Sequence, residues 1–178
     1  MSAATGEKQW TSAGKTPQKF QFTPAPPKDW EAVILGANFE IAVANKPGAI
    51  PYIKGRLELL NSSETEGGKN KLLFPTFFLS LKPGKDGITS PDRASGVLGV
   101  ARALGEQVDF PISERQDEDG QTIEMLDPRS VLQWFKDHTG MTIKLHSRVS
   151  PVKGADGKPT GEKRAEVDYY IEAEQGAF

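Results

Sequence analysis

The sequence predicts a mainly β domain of the α+β class: a five-stranded barrel with two helices between strands 3 and 4. Three observations predict it. Residues 139–171 read as a hairpin. Met141, Ile143 and Leu145 alternate with Lys144, His146 and Arg148, and alternation resumes at Ala165, Val167, Tyr169 and Ile171 after a loop rich in turn formers. Three further segments between Trp30 and Lys82 also alternate with period two. Between these two sets, two stretches each carry one apolar stripe and end at a glycine, as helices do.

The chain's 178 residues suffice for one domain with its own core, and 37% hydrophobic against 26% charged residues is a globular balance. The absence of cysteine removes disulfides and thiolate metal sites and fits a reducing compartment. No apolar run approaches a membrane span and no secretory segment opens the chain, so a cytoplasmic protein with no membrane contact is expected. Net charge is −2, which does not favour a generic polyanion binder. Its distribution is segregated. Residues 46–85 hold seven bases and three acids, residues 106–127 one base and eight acids, and residues 140–164 six bases and two acids.

In chain order, residues 1–28 read as a flexible N-terminal arm, since Pro17, Pro24, Pro26 and Pro27 interrupt any period. Gly14-Lys15-Thr16 lacks the first glycine and the preceding strand of a phosphate loop. The domain spans residues 29–171. Its first strand places Val33, Leu35, Phe39, Ile41 and Val43 on one parity, bent at Gly36. The second places Ile53, Leu57 and Leu59 inward and Tyr52, Lys54, Arg56 and Glu58 outward. The third places Leu73, Phe77, Leu79 and Leu81 opposite Phe74, Phe78 and Lys82, with Pro75 marking an edge or bulge. Ser90-Pro91 opens a helix that closes at Gly105, with Gly96 and Gly99 suited to close packing on the sheet. Residues 106–124 read as acidic and irregular around the turn Asp117-Glu118-Asp119-Gly120. Asp127-Pro128 opens a second helix that buries Val131, Leu132 and Phe135 and stops at Gly140. Strand, strand, strand, helical connection, strand, strand is the order of an oligonucleotide-binding (OB) barrel. Its ligand loops would be residues 44–51 and 151–162.

No catalytic constellation assembles from this sequence, so a non-enzymatic protein without cofactor or metal is expected. His138 and His146 have no ligand spacing, and Asp117, Glu118 and Asp119 lack the spaced oxygens of a calcium loop. Neither a nucleophile elbow nor a dinucleotide fingerprint occurs. What remains is a binding face. Single-stranded nucleic acid is held by cations that track phosphates and by rings that stack on bases. Tyr52, Lys54 and Arg56 supply both on one strand, and Phe74, Phe78 and Lys82 do so on the next. Lys144, His146 and Arg148 extend the charge as a basic row, while Lys153 and Lys158 line the last loop, flanked by Lys163 and Arg164. Burial beneath a helix is the competing expectation for Tyr52, Phe74 and Phe78.

Over about residues 30–171 the chain resembles the single-stranded-DNA-binding proteins of phage replication and recombination cassettes. The similarity rests on Gly55-Arg56-Leu57-Glu58-Leu59-Leu60, on residues 132–145, and on Asp156-Gly157 ahead of Ala165-Glu166-Val167-Asp168-Tyr169-Tyr170. Residues 172–178 form a short, weakly acidic C-terminal tail ending in Phe178, similar to tails by which such proteins recruit partners. The resemblance implies an OB fold, sequence-independent binding of single-stranded DNA and no cofactor. It also implies replication or recombination partners held through Phe178, and the host cell cytoplasm as location if the gene is a phage's; the oligomeric state, a homo-oligomer among the options, stays open. The alternative is a virion structural or protein-interaction module that uses the N-terminal arm.

Overall fold

The computed structural model describes residues 24–60, 72–81 and 94–174. In chain order these form β1 (Asp29–Ile34), a 3-10 turn (Gly36–Asn38), β2 (Glu40–Ala42), β3 (Tyr52–Lys54), β4 (Leu57–Leu59), β5 (Leu72–Leu73) and β6 (Thr76–Phe78). Then come α1 (Ser95–Ala103), β7 (Ile112–Gln116), β8 (Thr122–Leu126), α2 (Pro128–Asp137), β9 (Thr142–Lys153) and β10 (Pro159–Ile171). One antiparallel sheet has the order β10–β9–β1–β4–β5, a second β2–β3–β6, and β7–β8 is a hairpin.

The two larger sheets belong to one curled arrangement. β1 runs into β2 through the 3-10 turn, β3 into β4 through Gly55-Arg56, and β5 into β6 through Phe74-Pro75. Pairing holds across the second bend because the Gly55 amide donates to the Pro75 carbonyl at 2.8 Å. A Cβ on Gly55 would lie 2.7 Å from the Phe77 ring, so only glycine admits the ring there. β10 returns against β5, and α1 packs on both β6 and β10, closing much of the curl. The result is a barrel-like α+β fold, mainly β, with two helices.

Phe77 sits at the centre of the core. Its ring lies 4.8 Å from Phe135, 6.0 Å from Phe39 and 6.1 Å from Tyr170. α1 reaches this cluster through its glycines. A Cβ at Gly96 would touch the Phe77 ring at 3.4 Å, and one at Gly99 the Tyr170 ring at 3.1 Å. Packing against rings is what offsets the helix propensity that two glycines cost.

The structure corrects several sequence expectations. In β1 the buried residues are Trp30, Ala32 and Ile34, the opposite parity to Val33 and Leu35, because the 3-10 turn resets the phase before Phe39. Residues 106–124, expected to be irregular, contain the β7–β8 hairpin. The loop expected over residues 151–162 is shorter: β9 continues to Lys153 and β10 starts at Pro159, with an irregularity between Pro151 and Lys153 that accommodates the proline. Lastly, Tyr169 faces outward and Tyr170 inward. A register shift opposite His146/Ser147 leaves Asp168 as the extra residue and flips the parity. The first helix starts at Ser95 with Ala94 as its N-cap, not at the expected Ser90-Pro91, residues that themselves lie outside the described ones. Conversely, Pro24 to Lys28 belong to the packed region, with Ala25 buried and the Pro26 carbonyl accepting from Ser147 Oγ at 3.1 Å. Ser147, which follows Ile143 and Leu145 on the inward parity of β9, is buried for this reason. It also accepts from Trp30 Nε1 at 3.1 Å.

The helix ends meet through one histidine. α1 closes with Gly105 at φ +76, its amide donating to the Arg102 carbonyl, while the Glu106 amide donates to the Ala101 carbonyl. This double closure aims Glu106 at His138, the C-cap of α2. His138 Nε2 lies 2.9 Å from Glu106 Oε2, and Nδ1 lies 2.7 Å from the Trp134 carbonyl oxygen. Both partners are acceptors, so the ring satisfies both only as imidazolium. Burial opposes that charge most strongly. The Trp134 carbonyl, the Glu106 carboxylate and the charge of Asp137 together outweigh it and raise the His138 pKa above the ordinary histidine value. A raised folded pKa gives stability that is complete below the unfolded pKa, about 6.5, and is lost as pH rises through the folded value. Thermal melts from pH 5.5 to 8.5 should therefore show a loss in the wild type that is absent from His138→Gln. Parallel curves would remove His138 from this role.

Candidate nucleic-acid interface

The bend at Gly55/Pro75 keeps the outward parity of two adjacent strands in step, and this builds the site. Tyr52 stands opposite Phe78 and Lys54 opposite Thr76; beyond the bend Leu57 stands opposite Leu73. Arg56 and Phe74 therefore face each other across the strands, with the guanidinium 5.3 Å from the ring centroid. At the other end the Tyr52 and Phe78 rings are 6.4 Å apart and tilted by 52°. Rings thus stand at both ends, Tyr52 with Phe78 at one and Phe74 beside Arg56 at the other, with Lys54 between them, over four residues or about 13 Å of strand. Phe74 is 63% exposed and Phe78 48%, so the competing expectation of burial fails for both, while Tyr52 is half-buried. On the far side of β3, Glu40 reaches Lys54 at 3.9 Å, but both side chains are more than half exposed, and such a pair yields readily to a phosphate.

The basic row on β9 is different. Lys144 stands between Glu31 and Ile171, and His146 between Asp29 and Tyr169. His146 Nδ1 lies 2.7 Å from Asp29 Oδ1 and its ring stacks on Tyr169 at 5.0 Å. Arg148 donates to Glu166 at 2.8 Å and approaches Asp168 at 3.7 Å. Burial works against the Glu166 charge, yet hydrogen bonds from Ser150 and Arg148 outweigh it and hold this carboxyl below the usual range. The expected basic row is therefore an alternation of sign. β1, carrying Asp29 and Glu31, also lies between β9 and β4.

Lys153 and Lys158 lie at the far end of the β9–β10 hairpin, where the Gly154 amide donates to the Lys158 carbonyl and closes the turn. No side chain between residues 151 and 164 is buried, so this end projects as a two-stranded ribbon. Lys82 and Phe178 lie outside the described residues. The structure thus brings together Tyr52, Lys54, Arg56, Phe74 and Phe78, and sets Lys144, His146, Arg148, Lys153 and Lys158 apart on β9 and the turn that follows it.

Sequence reasoning missed Glu40, Tyr169 and the carboxylates that neutralise the β9 row. Cross-strand partners depend on register, which alternation alone does not supply. Among the described residues no group of three or more His, Asp or Glu gathers as a metal site, and no helix is long and apolar enough to cross a membrane. No family model matches the chain, and no curated protein or solved structure matches it either.

Proposed function

We propose that the chain binds single-stranded DNA, independently of sequence and without catalysis, on the outward face of β3 and β6, in phage or bacterial replication or recombination. The observation that carries this reading is the pair of exposed phenylalanines on one strand, Phe74 beside Arg56 and Phe78 beyond Lys54 of the adjacent strand. Large exposed rings beside cations are poor choices for solubility alone, and they are what stacked bases and phosphates require.

The strand order supports an OB assignment. Reading β1–β2, β3–β4 and β5–β6 as three long strands, with β9 and β10 as the fourth and fifth, gives the order 5–4–1–2–3, with the fifth returning to the third. In such barrels strands 2 and 3 and their adjoining loops carry the ligand. The aromatic and cationic face here is on those strands.

A labelled single-stranded oligonucleotide titrated at several salt concentrations tests the proposal. Phosphate contacts from Lys54 and Arg56 should give a log–log slope of about −1.4, at roughly −0.7 per phosphate. Absence of binding, or binding without a slope, contradicts it and would favour the protein-interaction reading of the same exposed rings.

A further inference from the structure

The acidic β7–β8 hairpin lies against the candidate interface, and two separate contacts fix at which end. First, β8 pairs with the chain just beyond β6: Ser80 bridges Met125, and the Leu126 amide donates to the Leu79 carbonyl at 2.9 Å. Second, the hairpin tip abuts the loop that leads into β3. Gly48, at φ +70, comes so close that a Cβ there would lie 2.3 Å from the Glu118 nitrogen. Phe78 immediately precedes the first contact and Tyr52 follows the loop of the second. Both contacts converge on the Tyr52–Phe78 end, opposite Arg56 and Phe74.

The charge of this hairpin is not accounted for by its own stability. Glu114 stands directly opposite Glu124, and both are exposed, an arrangement that disfavours pairing. Asp117 is occupied, its Oδ1 accepting from the Asp119 and Gln121 amides at 2.9 Å. Glu118 and Asp119 are exposed at the tip. Only Arg115 offsets these acids within the hairpin.

We propose that the β7–β8 hairpin is an electrostatic fence that closes the Tyr52–Phe78 end of the interface and selects single strands over duplex. The inference rests on the function proposed above. A duplex presents two phosphate chains, one charge per ~1.7 Å of axis, so a fixed anionic wall repels it more than a single flexible strand, which can turn aside.

Anisotropy titrations of labelled oligo(dT) and of a duplex of equal length, against the full chain and Glu118→Lys/Asp119→Lys, test it. Duplex affinity should rise about tenfold and single-strand affinity by less than threefold, so that discrimination falls. Glu114→Lys, which removes the like-charge pair, should act in the same direction while raising the melting temperature, and so controls for folding. If the wild type binds the single strand and neither variant changes the ratio, the fence is wrong and the function stands. If the wild type binds neither oligonucleotide, the proposed function fails and the fence with it.

Discussion

A Phe74→Ala/Phe78→Ala chain should bind single-stranded oligonucleotide about 100-fold more weakly than the wild type while melting within a few degrees of it. Stacking on an aromatic side chain is worth about 1–3 kcal/mol per base, and about 1.4 kcal/mol is tenfold in affinity. Two rings at about 1.4 kcal/mol each, in the lower half of that range, give two factors of ten. The fold should tolerate the change because both rings are exposed and the core lies on the other parity of the same strand. Lys54→Glu/Arg56→Glu should also weaken binding but leave a different trace. It removes the phosphate contacts, so the salt slope flattens, whereas the phenylalanine pair should lower affinity at every salt concentration with the slope kept. Equal affinity for all three chains in an anisotropy titration would remove β3 and β6 from recognition.

One residue away the effect should invert. Phe77→Ala should leave the binding face in place and cost the fold about 3–5 kcal/mol, the usual loss for a fully buried phenylalanine. Phe77 is 1% exposed and packs against the rings of Phe39, Phe135 and Tyr170, drawn from the end of the 3-10 turn, α2 and β10. No single element can move in to fill the space. A domain typically holds only about 5–15 kcal/mol in reserve, so the urea midpoint should fall by about a fifth or more. A loss under ~1 kcal/mol would show that the core is not centred on this ring. The contrast between Phe77 and Phe78 tests the period-two placement on which the interface depends.

That placement was legible where alternation was uninterrupted. Ile53, Leu57, Leu59, Leu73, Phe77 and Leu79 are buried as their parity predicts, and Lys54, Phe74 and Phe78 are exposed. It failed where a short element resets the phase. Gly36–Asn38 does so in the first strand and Asp168 in the last, and neither shift changes residue composition. The β7–β8 hairpin was missed because its acids dominate the stretch. The signal was nonetheless present: Asp119-Gly120, with Gly120 at φ +77, followed by the alternation Thr122, Ile123, Glu124, Met125. The charge row on β9 was read correctly along its own strand and wrongly as a surface. Lys144, His146 and Arg148 share a parity, but their signs are matched by Glu31, Asp29 and Glu166 from the strands on either side. Which strands would flank β9 is a property of the whole topology. The start of α2, by contrast, was readable to the residue, because Asp127 and Pro128 are a local signal: Asp127 Oδ2 accepts from the Ser130 amide at 3.0 Å, whereas its end falls at Asp137, ahead of the expected Gly140.

Photocross-linking decides whether bases lie on the β3–β6 face. A single-stranded oligonucleotide carrying 5-iodouracil, irradiated on the full chain and followed by peptide mapping, should place its adducts on Tyr52, Phe74 and Phe78. Adducts confined to α2 or to the β9–β10 ribbon, under conditions where the oligonucleotide is bound, would contradict the account.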